Sequence, residues 1–178
     1  MKIYTKRLAI TALSDEELAR LCVNGRVCDA IPELEADENA ADEHLLAAYN
    51  EMYRQCLLHP NERLWHTNWQ IILPAENKAV GSIGFLGAPD ESGETEIGYG
   101  TDEKYRGRGI ASEALCAMCE WAFSHGVSRL VAETEPDNNA SVTVLRKCGF
   151  VLDGKRDENL LFSLCASDEM TKVNSREE

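Results

Sequence analysis

Residues 94–111 read Glu94-Thr95-Glu96-Ile97-Gly98-Tyr99-Gly100-Thr101-Asp102-Glu103-Lys104-Tyr105-Arg106-Gly107-Arg108-Gly109-Ile110-Ala111, and this stretch limits the possible folds more than any other. Glu94 to Thr101 suits a strand, although Gly98 and Gly100 weaken it and mark a bulge or a place where a ligand nears the backbone. Gly107 and Gly109 lack a Cβ and tolerate positive φ, while Arg106 and Arg108 add cationic side chains at the same spot. From Ile110 the spacing turns helical. Ile110, Ala111, Ala114, Leu115, Met118 and Ala122 share one face, Glu113, Glu120 and Ser124 another, and Gly126 closes the helix near His125. A helix start leaves N–H groups unpaired and carries about half a positive charge. A strand, a basic glycine loop and a helix therefore suit an anion, phosphate above all. The same residues also describe a solvated turn before an amphipathic helix, so the loop alone does not decide.

The rest of the chain supplies context. Ile3 to Thr11 reads as a first strand, and Ser14 with Glu17 makes a capping box for a helix through about Cys22. A second helix is expected from about Ala40 to Leu58, stopped by His59-Pro60. Strands follow at Asn68 to Leu73 and Lys78 to Leu86, joined by a turn at Pro74 to Asn77. Beyond the loop helix, Arg129 to Thr134 is a fifth strand lying parallel to the fourth, which gives a βαβ unit. A short helix from Ala140 to Cys148 ends at Gly149, and Phe150 to Leu152 and Asn159 to Cys165 read as closing strands.

Composition narrows the functional classes. The 178 residues are 44% apolar and 28% charged, a globular balance for one domain, and no run approaches the ~20 apolar residues of a spanning helix. Met1 to Arg7 carries no apolar signal region, so a cytoplasmic location is expected. The net charge of −13 disfavours nucleic acid and anionic membranes and attracts cationic substrates. Its densest acids are Glu33, Glu35, Asp37, Glu38, Asp42 and Glu43, either a solvated face or a steering patch for an amine. Seven scattered cysteines do not form a disulfide framework. Cys116-x-x-Cys119 sits inside the predicted helix and reads as packing. His44, His59, His66 and His125 show no metal-ligand spacing, and no metal is assigned.

Arg106-Gly107-Arg108-Gly109-Ile110-Ala111 fits the Arg/Gln-x-x-Gly-x-Gly/Ala signature of the GNAT superfamily, the acetyl-CoA-dependent N-acetyltransferases, which the chain resembles. Glu96-Ile97-Gly98-Tyr99, Thr134-x-Pro136-x-Asn138-x-x-Ser141 and Leu145-x-Lys147-x-Gly149-Phe150 resemble its RimJ/RimL-like branch in order and spacing. Thr5-Lys6-Arg7-Leu8 and the pair Trp69 and Ile71 do so as well. The likeness runs over residues 3–164 and is strongest from Val80 to Phe150. It implies an α/β (α+β) fold, with a mixed, mostly antiparallel sheet of about six or seven strands flanked by about four helices. It also implies a V-shaped splay between the fourth and fifth strands. Residues 1–165 would be one GNAT domain and 166–178 a polar tail.

In that family the acetyl-pantetheine arm lies in the splay, where N–H groups freed by a bulge near Gly98 to Gly100 would stabilise the oxyanion as the amine attacks. The expected cofactor-binding set is Tyr99, Gly100, Thr101, Arg106, Gly107, Arg108, Gly109, Ile110, Ala111 and Asn138, with Arg146 or Lys147 as a partner for the adenosine 3′-phosphate. Direct transfer requires a neutral amine, so a proton acceptor is needed. Glu96 is the first candidate, as base or substrate anchor, with pairing to an arginine such as Arg146 as the alternative. Many members place a tyrosine acid where this chain has Leu145. Ser141 is then the best remaining polar group for the departing thiolate, although Asn138 or Asn139 also suits as a helix cap with Ser141 merely in the first turn. Trp65, Trp69 and Tyr49 are candidates for the acceptor pocket or the core.

The acceptor is expected to be a protein N-terminus or a small amine, and the chain a monomer or homodimer. Two rivals remain. One is a CoA-binding sensor or interaction protein with the same fold. The other is a dinucleotide-binding oxidoreductase built on Gly107-x-Gly109 with Glu133 and Glu135, although Ser112 stands where a third glycine belongs.

Overall fold

The structure, a computed structural model, describes residues 1–35 and 40–167. The chain opens with a hairpin, β1 (Lys2–Tyr4) and β2 (Ala9–Ala12), where the sequence suggests a single strand. The break falls at Thr5. Its backbone N–H donates to the Leu8 carbonyl and its Oγ1 accepts from the Leu8 N–H, each at 3.0 Å, closing a turn that the apolar pattern conceals.

The expected capping box starts α1 (Asp15–Asn24): the Glu17 N–H donates to Ser14 Oγ at 3.2 Å and the Ser14 N–H to Glu17 Oε2 at 2.7 Å. After a single turn, α2 (Val27–Ala30), the long helix α3 (Glu43–Leu58) begins at Glu43 because Asp42 Oδ1 caps the Leu45 N–H at 2.8 Å. It stops at His59-Pro60, as expected. Leu13, Leu18, Leu21, Tyr49 and Cys56 form a separate core beneath these helices.

β3 (Trp69–Leu73), β4 (Lys78–Phe85), β5 (Glu94–Thr101), β6 (Arg129–Thr134), β7 (Val151–Arg156) and β8 (Asn159–Cys165) complete an eight-stranded sheet of order β1-β2-β3-β4-β5-β6-β8-β7. Among the described residues only β5 and β6 pair in parallel. The crossover between them is α4 (Ile110–Ser124), and α5 (Asn139–Lys147) follows β6. Ile97, Ile110, Ala114, Leu115, Met118, Leu130 and Phe162 are fully or almost fully buried where α4 lies across the sheet. Both predicted left-handed closures hold, with φ at 91° in Gly126 and 93° in Gly149.

One expectation about β5 is overturned. Its register with β4 advances without a shift through Gly84↔Gly98 and Ser82↔Gly100, so no bulge lies there. The irregularity sits one strand away, where Ile71 faces Gly81, Ile72 faces Ala79, and Val80 is left over. Of the acidic run, Asp37 and Glu38 fall outside the described residues, as do residues 168–178 of the tail. Glu35 pairs with Lys78 at 3.3 Å.

Candidate active site

β5 and β6 pair only from Glu94↔Arg129 to Glu96↔Val131. Past that point β5 stays on β4 as far as Thr101, and β6 stays on β8 as far as Thr134. Each strand keeps its outer neighbour and loses the inner one. The Leu86 N–H donates to the Glu96 carbonyl at 2.9 Å, so main-chain groups of even-numbered residues face β4. Alternation then turns those of Ile97, Tyr99 and Thr101 toward the gap. The bulge at Val80 adjoins Gly81, the partner of Thr101 at the end of β5, and bulges bend a strand and increase its twist. Thr101 Oγ1 and Thr134 Oγ1, on the two diverging ends, are buried and have no hydrogen-bond partner. Orphaned hydroxyls of this kind suit a polar ligand in the gap.

At the mouth of the gap, Gly107 and Gly109 have φ of 73° and 75°. A Cβ at Gly107 would meet nothing within 4 Å, so its backbone is open to a ligand. Gly109 is the N-cap of α4 and supplies no side-chain cap, so the N–H groups of Ile110, Ala111 and Ser112 lack an intrahelical acceptor. From behind, Arg7 Nη1 donates to the Arg108 carbonyl at 3.0 Å, and Arg7 Nε to Glu113 Oε2 at 2.7 Å. The two loop arginines differ. Arg108 is held by Glu76 at 3.1 Å and lies over the Tyr105 ring, whereas Arg106 donates to the Thr101 carbonyl at 3.3 Å and lines the neighbouring cleft. Hydrogen bonds from Tyr105 and Arg108 keep the Glu76 carboxyl below its ordinary range.

Across the gap, the Tyr99 hydroxyl lies 3.0 Å from Ser141 Oγ and donates to the Ser141 carbonyl at 3.3 Å. Burial pushes the Tyr99 phenol up to about 12, against the opposing effect of its hydrogen bond with Ser141. Asn138 caps α5, its Oδ1 accepting from the Ser141 N–H at 3.0 Å. Leu145 is fully buried in the core.

On the face that Glu96 shares with Val131, Arg156 Nη1 donates to Glu96 Oε2 at 2.7 Å and also to Glu133 Oε1. Glu133 lies on β6 beyond its last pairing with β5, so the two carboxylates stand at the fork, tied by one guanidinium. Arg156, not Arg146, is the partner of Glu96. Glu94 binds Arg129, which also reaches Asp153.

Residues 7–151 match the family model described as the acetyltransferase (GNAT) domain. The chain belongs to the GNAT acetyltransferases. Dinucleotide-dependent oxidoreduction is thereby set aside, in line with a sheet that has a single parallel pair. An uncharacterised N-acetyltransferase of Bacillus subtilis, YjdG, is 38% identical over 107 residues, which cover 60% of this chain and 64% of YjdG. The ribosomal-protein-serine acetyltransferase of Escherichia coli is 36% identical over 80 residues, 44% of this chain and 45% of its own. The aligned stretches thus span less than two thirds of these relatives. The solved ribosomal-protein-S5-alanine acetyltransferase of Vibrio fischeri superposes with a TM-score of 0.70 at 17% identity, covering 94% of this chain and 98% of that one. Proteins of the RimJ/RimL kind that the motifs resemble are among these relatives and structural neighbours.

Within this GNAT domain, a cleft of about 760 Å³ opens beside the loop, walled by Tyr49, Gln70, Ser82, Asp102, Glu103 and Arg106. Tyr49 is therefore at the cleft, while Trp69 is fully buried and Trp65 packs against Phe85 and Trp121. No helix among the described residues is long and apolar enough to cross a membrane. The sequence concealed three contacts at this place, those of the Tyr99 hydroxyl, Arg156 and Glu133. Glu133 was visible only beside Glu135 in the dinucleotide-binding reading, and Arg156 comes from a strand distant in sequence.

Proposed function

We propose that this acetyltransferase moves the acetyl group of acetyl-CoA directly onto a primary amine, and that the amine is the N-terminus of a protein. The parting of β5 from β6 beside the uncapped start of α4 carries this reading. Acetyl-CoA supplies an activated thioester, and residues 1–165 form the domain that acts on it. Main-chain N–H groups of Gly107 to Ala111 and the Arg106 guanidinium bind the pyrophosphate. Arg108, tied to Glu76, shapes the loop instead. Gap-facing amides of Ile97, Tyr99 and Thr101, with Gly100 between them giving room, hold the pantetheine arm and the carbonyl oxygen. Asn138 binds the arm through its side-chain nitrogen, its oxygen being committed to the helix cap. Ser141 Oγ accepts from the Tyr99 hydroxyl in this arrangement and keeps its own proton for a hydrogen bond to the sulfur.

Glu96, Arg156 and Glu133 sum to one net negative charge at the fork. That charge suits an ammonium, and Glu96 accepts its proton directly or through a water. One observation favours a protein acceptor over a small one: two of the relatives described above are named for ribosomal proteins. The charge of −13 suits basic proteins and polyamines alike.

The test incubates the protein with acetyl-CoA, peptides with free or blocked N-termini, and small amines, reading thiol release and product masses. Acetylation of free N-termini alone is expected. Modification of polyamines or aminoglycosides alone would move the acceptor to small amines, and acetyl-CoA binding without thiol release would favour a sensor.

A further inference from the structure

The connection from α3 to β3 holds a feature that the proposed reaction does not use. His59 ends α3, Pro60 starts a six-residue 3-10 turn through Trp65, and His66 follows. The tight turn brings together donors that look unrelated along the chain. One ligand atom from each of His59, Glu62 and His66 lies within 4.8 Å of the others. His59 Nδ1 is 3.8 Å from Glu62 Oε2, and the two imidazoles stack with centroids 4.8 Å apart.

A second observation points to a ligand. His66 Nε2 is buried and has no hydrogen-bond partner, a rare condition for a buried polar atom. Glu62 has no lysine or arginine partner among the described residues. The guanidinium nearest in sequence, Arg63, is engaged by Asp15 at 2.6 Å.

We propose that His59, Glu62 and His66 bind a divalent transition-metal ion. Two imidazoles and a carboxylate match zinc(II) or nickel(II) and not magnesium or calcium, which prefer all-oxygen shells. Three protein ligands also leave a position for water. Donors on one tetrahedral zinc lie roughly 3.3 Å apart, so the cluster must contract on binding. His59 and Glu62 can supply that movement, their side chains being 45% and 54% exposed, while His66 is the fixed ligand. His66 lies against the loop after β4, where a Cβ on Gly87 would sit 3.9 Å from His66 Cε1. Metal binding would thereby fasten the end of α3, whose Tyr49 lines the cleft, to the sheet.

Tag-free, metal-free protein is titrated with zinc(II) and nickel(II) by calorimetry, and with cobalt(II) by visible spectroscopy. The expected result is one site per chain, a raised melting temperature, and a cobalt spectrum without thiolate charge-transfer bands. His59→Ala and Glu62→Gln, both at exposed positions, each weaken binding at least about tenfold, while His44→Ala binds as the parent does. No saturable binding up to ~1 mM metal, thiolate bands from the cysteines, or unchanged binding by both variants would each overturn the site.

Discussion

At the scale of single residues, the pairing of Tyr99 with Ser141 answers a question that the sequence raises. Leu145 removes the acid that many GNAT members use, and a serine hydroxyl alone is a weak substitute. Tyr99 fixes that hydroxyl from the facing strand. Tyr99→Phe is expected to lower kcat about tenfold, some 1.4 kcal/mol of barrier, with little change in the KM for acetyl-CoA. Ser141→Ala should cost a similar amount, and the double variant less than the two losses multiplied, because they break one interaction. With its phenol at about 12, Tyr99 stays protonated through the range of ordinary assays, so the pH–rate profiles of Tyr99→Phe and the parent should share one shape. Steady-state kinetics over a pH series checks all three statements. Ser141 and Asn138 were legible because the motif marks them. The phenol was not, because alternation along a strand says which face Tyr99 occupies and nothing about which helix end it meets.

At the scale of elements, the bulge on β4 sits beside the end of β5, where the gap opens. Gly81, beside it, has φ of 156°, and a Cβ there would lie 2.2 Å from the Gly100 carbonyl oxygen. Backbone must move to admit it. Gly81→Ala should therefore destabilise the protein by about 3 kcal/mol or more, measured by urea unfolding, and should weaken acetyl-CoA binding by disturbing Gly100 and Thr101. Gly126→Ala, where a Cβ meets nothing within 4 Å, should cost only the roughly 1 kcal/mol of its left-handed backbone. Helix starts at Ser14 and Asn138, the βαβ unit and the turn at Pro74 were all readable, since caps and turns are local chemistry. The hairpin at Thr5 and the bulge at Val80 were not. Both depend on which strand each residue pairs with, and an apolar run reads alike whether it is one strand or two.

Across the whole molecule, Glu113 ties the opening hairpin to the loop helix. It accepts hydrogen bonds from Thr5 Oγ1 at 2.6 Å, from the Arg7 N–H at 2.8 Å and from Arg7 Nε at 2.7 Å. Burial acts to raise its pKa, but those bonds and the Arg7 charge outweigh it and leave the carboxyl below its ordinary value. The unfolded state then binds more protons than the folded state, so this stabilisation is complete above the ordinary glutamate range near ~4.3 and fades as pH falls through the lower folded value. Glu113→Gln should lose about 1–2 kcal/mol at neutral pH and converge on the parent in acid, as urea midpoints at several pH values would show. It should also loosen the loop, because Arg7 holds the Arg108 carbonyl from behind.

The sequence by itself determined the family, most of the order of elements, the basic glycine loop and the leucine at position 145, because glycine, cap and motif chemistry act within a few residues. Tertiary structure alone decided where β5 leaves β6, which arginine holds Glu96, and what Tyr99, Glu133, His59 and His66 meet. Those facts follow from register, twist and packing between segments distant in the chain, and no local pattern encodes them.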